Sequence, residues 1–142
     1  MGEFISALGL DIGRKRIGVA GCDGTGLIAT GLTTIHRASF AQDLAQFQEL
    51  VEQRRVQILV IGLPYSMDGT LGSQARQVQR YGERLTTALE LPMEYVDERL
   101  TSVEAEQMLV AAKLSPSQNK ALIDRKAAAL ILQRWLDERR QR

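Results

Sequence analysis

Three places in the chain hold carboxylates that an ordinary surface does not explain. Asp11 closes an otherwise apolar run, Ala7-Leu8-Gly9-Leu10-Asp11-Ile12-Gly13. Burying a lone carboxylate is costly unless something pairs with it; the plainer alternative is a strand-end Asp bonded to its own turn. Asp97 and Glu98 stand side by side before Arg99. Neighbours on a strand point to opposite faces, so one of the two can face a site while the other makes a structural bond. The alternative is that Asp97 caps the next helix and Glu98 pairs with Arg99. Asp124 follows Ile123 and precedes Ala127-Ala128-Ala129. It lies about 100° from Ile123 on a helical wheel, at the edge of the apolar face, and its alternative is an acid drawn to a first turn by the helix dipole. Glu49, Glu52, Glu83, Glu90, Asp137 and Glu138 read as solvated helix faces.

Brought to one sheet edge, carboxylates from two strand ends and one helix start repel one another, and a hard divalent cation relieves that repulsion. Mg²⁺ takes oxygen ligands and keeps several waters. Two such ions about 4 Å apart can activate water and stabilise a leaving oxygen in phosphodiester hydrolysis. Basic residues flank each acid: Arg14, Lys15 and Arg16 after Asp11, Arg99 after Glu98, and Lys120, Arg125 and Lys126 around Asp124. Thr101 and Ser102 open a helix whose N–H groups suit phosphate.

The elements that would position these residues follow from periodicity. Ile5 to Ile12 and Arg16 to Cys22 read as strands joined by a tight turn, and Leu27 to Ile35 as a third, antiparallel strand. Ser39 and Gln42 form a capping box before Phe40, Leu44, Phe47 and Val51 at helical spacing. Val56 to Gly62 is a short apolar run of the buried parallel type. Leu63 to Gly72 is a loop, and Ala75, Val78, Gly82, Leu85 and Leu89 mark an amphipathic helix. Pro92 to Asp97 is a fifth strand. Thr101 and Glu104 make a second capping-box pattern for a helix to about Lys113. Ser115 to Ser117 breaks the chain, and a last helix runs from about Gln118 to Arg139 with Ile123, Ala127, Leu130, Ile131 and Arg134 on one face. The order predicts an α/β fold: a mixed five-stranded sheet, three antiparallel strands then two parallel, with helices on both faces. In such sheets ligands gather at the carboxyl ends of parallel strands.

The 142 residues fit a single domain, 1–142. One cysteine and one histidine exclude an intrachain disulfide framework and a Cys/His zinc cluster. No apolar window approaches the ~20 residues of a membrane span, and the N-terminus lacks a secretory pattern, so a cytoplasmic address is expected. Net charge is +1, which neither argues for nor against nucleic acid. Fourteen of the 18 basic residues are Arg, the better bidentate partner for phosphate.

Four blocks resemble one family. Leu8-Gly9-Leu10-Asp11-Ile12-Gly13-Arg14-Lys15-Arg16-Ile17-Gly18-Val19-Ala20 is similar to the opening of the YqgF (RuvX) family, the Holliday-junction-resolvase-like pre-16S rRNA nucleases. Ile61-Gly62-Leu63-Pro64 with Met67-Asp68-Gly69-Thr70, then Asp97-Glu98-Arg99-Leu100-Thr101-Ser102-Val103-Glu104-Ala105, then Asn119-Lys120 through Asp124 to Ala127-Ala128, resemble its later blocks in order. The resemblance implies an RNase H-like fold and a divalent-metal-dependent nuclease using Mg²⁺ or Mn²⁺, two ions in the presence of substrate. Asp11, Glu98 and Asp124 match the family's acidic, metal-holding positions. Arg14, Lys15, Arg16, Arg99, Thr101 and Lys120 are the expected nucleic-acid contacts. The implied role is maturation of the 5′ end of small-subunit ribosomal RNA, with precursor rRNA, structured DNA and ribosomal particles as partners, as monomer or homodimer and away from membranes. Junction resolution and a silent nucleic-acid-binding module are the alternatives. Cys22 stands where the family favours Ser, and Arg125 where a small residue is commoner.

Elsewhere, His36 reads as an exposed loop residue, Cys22 as small buried packing, and Trp135 as core or partner-facing. Tyr65 and Met67 lie in a loop Gly-rich enough to move over a substrate.

Overall fold

The computed structural model describes residues 4–65, 68–99 and 101–141, with the backbone alone at 101–103. The strands are β1 (Ala7–Ile12), β2 (Arg16–Cys22), β3 (Ala29–His36), β4 (Ile58–Leu63) and β5 (Met93–Asp97), and the helices are α1 (Phe40–Arg54), α2 (Ser73–Leu89), α3 (Thr101–Ala111) and α4 (Lys120–Arg140). They form one sheet in the order β3-β2-β1-β4-β5. β1 runs antiparallel to β2 and β2 to β3, while β4 is parallel to both β1 and β5. The mixed sheet is thus as predicted.

Element ends moved where a side chain or cap took the backbone donors. β3 starts at Ala29 and not Leu27, because the Asp23 carboxylate accepts the N–H groups of Leu27 and Ile28. β4 starts at Ile58 because the Val56 N–H closes the end of α1 on Val51 and the Gln57 N–H goes to Ser6. α1 carries the predicted capping box between Ser39 and Gln42. α3 stops at Ala111, just before a left-handed Lys113 with φ 62°. A 3₁₀ turn, Pro116–Gln118, occupies the chain break, so α4 begins at Lys120. The Thr101 side chain of the Thr101/Glu104 capping pattern, and Met67 of the loop, lie outside the described residues.

Alternation along β1 divides the core. Leu8, Leu10 and Ile12 face Phe47 of α1 and Ala75, Val78 and Leu85 of α2. Ala7, with Ala20, Val60 and Val96, faces Ala128, Ile131, Leu132 and Leu136 of α4. The second face is built from small residues, so α4 lies almost on the sheet backbone. A Cβ at Gly18 would sit 1.9 Å from the Asp124 carbonyl oxygen, and one at Gly9 would sit 2.6 Å from the Leu132 Cβ. This close approach turns α4 from the expected orientation: its buried residues are Ala127, Ala128, Ile131, Leu132, Trp135 and Leu136, and Leu130 and Arg134 are only partly covered.

Candidate active site

Asp11 is the penultimate residue of β1 and points to the α4 face, in step with Ala7 and Gly9. Glu98 follows β5 immediately, in step with Val96, which lies in the same cluster. Gly62 at the end of β4 lets the two meet: a Cβ there would fall 2.8 Å from Glu98 Oε2 and 2.5 Å from Ile131 Cδ1. The carboxyl groups of Asp11 and Glu98 lie close enough to share a hydrogen bond. Two carboxylates cannot do this unless one carries a proton.

Burial is the main cause of their electrostatics. It pushes Asp11 up to about 6, helped by the Asp124 charge and opposed by the Glu98 hydrogen bond and by Arg16. It pushes Glu98 up to about 9, helped first by the Asp11 charge. Asp124 completes the acidic edge from the second turn of α4, beyond the first turn where the helix dipole acts, so the dipole does not explain it. Its Oδ2 accepts a 2.6 Å bond from Arg16 Nε. No group of three His, Cys, Asp or Glu among the described residues is gathered closely enough to hold a metal ion. Asp124 is instead engaged by Arg16.

Asp97 and Glu98 divide their tasks, with partners opposite to those of the plain alternative. Asp97, not Glu98, takes Arg99: its Oδ2 lies 2.6 Å from an Arg99 terminal nitrogen, and its Oδ1 accepts the Arg99 N–H at 3.0 Å. The hydrogen bond from Arg99 holds Asp97 below the usual carboxylate range. The Asp97 carbonyl accepts from Arg134 of α4, which ties the end of β5 to that helix. Sequence reasoning missed Arg134 as a positioning residue.

The other expected contacts spread around this edge. Arg14 and Lys15 are exposed in the β1–β2 turn, and Lys120 is exposed at the start of α4. The Thr101 side chain lies outside the described residues. Arg125 does not face the carboxylates; its Nε bonds Thr34 Oγ1 at 3.1 Å, and Thr34 in turn bonds the Ala121 carbonyl. His36 is exposed as expected but ends β3 and does not lie in a loop, and Cys22 and Trp135 are buried as expected.

The donor set of Asp11, Glu98 and Asp124 is entirely oxygen, and once the shared proton leaves and Arg16 lets go of Asp124 its charges repel one another. That is the chemistry a hard divalent cation suits.

Comparisons with known proteins agree with this architecture. The profile of the RuvX family, described as Holliday junction resolvase, matches residues 5–138. A protein of Trichormus variabilis named "Putative pre-16S rRNA nuclease" is 70% identical over 140 residues, covering 99% of this chain and 93% of that protein. One of the same name from Crocosphaera subtropica is 69% identical over 138 residues, covering 97% and 96%. Among solved structures, Thermus thermophilus RuvC in complex with a Holliday junction substrate superposes with a TM-score of 0.60 at 13% identity, covering 96% of each chain. The yeast mitochondrial Holliday junction resolvase Ydc2 gives 0.54 at 11% identity, covering 99% of this chain and 81% of that one. The shared fold is RNase H-like. With nearly its whole length matched by the family profile and by close relatives, the chain belongs to the RuvX family.

Proposed function

We propose that this protein is a divalent-metal-dependent endonuclease that matures the 5′ end of pre-16S ribosomal RNA. The observation that carries the reading is the pair of buried carboxyls, Asp11 and Glu98, bonded at the carboxyl ends of β1 and β5 with Asp124 acting on Asp11. In this reading Asp11, Glu98 and Asp124 hold one or two Mg²⁺ or Mn²⁺ ions. Bound there, the ions supply Lewis-acid polarisation of the phosphodiester and activation of water.

The chain's own residues do the rest. Asp11 and Glu98 give up the shared proton when loaded, so loading releases protons. Arg16 leaves Asp124 for an incoming phosphate, which offers its guanidinium a bidentate partner and frees Asp124 toward Asp11. Arg14, Lys15, Arg99, Thr101 and Lys120 hold the flanking backbone. Asp97 and Arg134 are positioning residues that fix where Glu98 leaves the sheet. RNA is favoured over a DNA junction because the relatives at 70% and 69% identity carry an rRNA name, whereas the junction-binding structure shares 13% of residues. The protein acts as a single domain in the cytoplasm, as monomer or homodimer, on free precursor or within ribosomal particles.

Cleavage of a 5′-extended 16S precursor segment, single-stranded RNA and a four-way DNA junction tests this, each with Mg²⁺, Mn²⁺ or EDTA and beside Asp11→Asn. The expected result is metal-dependent cutting of the precursor that Asp11→Asn abolishes. Preferred cutting of the junction would replace RNA maturation with resolution. Salt-sensitive binding without cutting of any substrate would replace the enzyme with a binding module.

A further inference from the structure

On the opposite side of the same sheet edge, four arginines surround one cavity. Arg14 of the β1–β2 turn, Arg37 after β3, and Arg80 and Arg84 of α2 line a space of about 350 Å³ together with Gly13 and Tyr81. No carboxylate among the described residues lines it. None of the four guanidinium groups belongs to an ion pair among the described residues. Four like charges around one cavity repel, which an anion relieves.

Two of the four are held ready. Arg37 donates a 2.7 Å bond to the Gly13 carbonyl, and its guanidinium lies 4.4 Å from the centre of the Tyr81 ring. Tyr81 is fixed in turn, because its hydroxyl donates to Asp43 Oδ2 at 3.1 Å, and Asp43 is buried and also accepts the Ala38 N–H. Arg84 lies 3.8 Å from the centre of the Phe40 ring, and Phe40 meets Tyr81 edge to face. Stacking of this kind orders an arginine while leaving its N–H edge to bind. One face of each ring is thereby covered by a guanidinium group, which leaves less aromatic surface for a base to stack on. The cavity suits phosphate in preference to nucleobase.

We propose that this cavity binds phosphates of the same nucleic acid whose scissile bond lies at Asp11 and Glu98, as a sequence-independent anchor across the sheet edge. The proposal rests on the nuclease reading for its substrate. What joins the two sites is the β1–β2 turn: Ile12 and Gly13 line the cavity, and Asp11 is at most about 7 Å of extended chain away. Arg14 faces the cavity, while Arg16, two residues on, meets Asp124. A strand crossing the turn places backbone on both sides.

The test is equilibrium binding of a fluorescent 12-nucleotide oligouridine in EDTA over a salt series, where no turnover intervenes. Wild type, Arg80→Ala/Arg84→Ala, Arg80→Lys/Arg84→Lys and Asp11→Asn are compared, with thermal unfolding as the check on folding. Both arginines are exposed on α2, so the alanine pair should fold. Single strands give a slope of about 0.7 per neutralised phosphate. The alanine pair should lower the salt slope by about 1.4, the lysine pair should restore most of it, and Asp11→Asn should leave it intact. A wild-type slope and affinity in a folded alanine pair would overturn the anchor, while metal-dependent cutting in a separate assay would leave the nuclease reading standing. A lowered slope in the alanine pair of a protein that cuts nothing would keep the phosphate site and remove the nuclease.

Discussion

The two faces of the sheet meet at one edge and carry opposite chemistry. On the α4 face, Gly9, Gly18 and Gly62 thin the sheet so that a helix presses against backbone, and the Asp11 and Glu98 carboxyls are buried beside it. On the α1 and α2 face, Leu10, Ile12 and Val78 fill the core to ordinary depth, and arginines stacked on Phe40 and Tyr81 ring an open cavity. One strand supplies both, since Asp11 points one way and Leu10 and Ile12 the other. The difference teaches that ionisable groups are held where they cannot relax. Asp11 and Glu98 are confined by burial and Arg37 and Arg84 by stacking, and each set is left to be met by something that binds.

The sharpest way to break the acidic face is to thicken it. Gly18→Ala puts a methyl 1.9 Å from the Asp124 carbonyl oxygen, a backbone atom that moves only with α4. The expected cost is about 3 kcal/mol or more, read by denaturant unfolding, with loss of any cleavage. An equal insertion at exposed Gly24, where the nearest atoms are 3.4 Å away on the Phe4 ring, should be tolerated.

A smaller effect sharpens the comparison by removing one trapped titratable carboxyl. Glu98 keeps its proton in the folded chain up to about 9, whereas an unfolded glutamate releases it near its ordinary value. The folded state therefore loses stability relative to the unfolded state as pH rises across that window. Glu98→Gln carries no such penalty. In EDTA it should match wild type near pH 5 and exceed it by about 1–3 kcal/mol at pH 9. Equal unfolding curves at pH 9 would mean that the carboxyl is not trapped. Mg²⁺ should reverse the ranking, because only the wild type offers both carboxylates.

The smallest effect is expected away from both faces. His36 is exposed at the end of β3, so His36→Ala should stay within about 0.5 kcal/mol with unchanged cleavage. A large loss of activity would give the lone histidine a role the geometry does not.

Much of this was legible in local patterns. The apolar run closing on Asp11, the Ser39/Gln42 box and the α2 stripe each encode their element within a few residues, and the order of elements led to the mixed sheet. Asp43 was legible and passed over: it lies three residues after Phe40 and four before Phe47, so the spacing that buries those rings buries it too. The rest depends on distant partners. Arg16 reads as a free basic turn residue until α4, 108 positions later, brings Asp124 to it. The exchange that gives Arg99 to Asp97 and Asp11 to Glu98 depends on Gly62 leaving room on a different strand. The rotation of α4 depends on glycines in β1 and β2. The arginine cavity joins a turn, a strand end and a helix that no single window contains.

The most direct measurement is the steady-state cleavage of the 5′-extended 16S precursor segment in Mg²⁺ by Asp11→Asn and by Arg80→Ala/Arg84→Ala, side by side with wild type. The carboxylate variant should lose kcat by more than about a hundredfold, beyond what loss of a mere supporting contact costs, with binding retained. The arginine pair should raise KM, with kcat the smaller change. Wild-type kcat in Asp11→Asn, or a collapse of kcat with unchanged KM in the arginine pair, would contradict the assignment of cutting to one face and holding to the other.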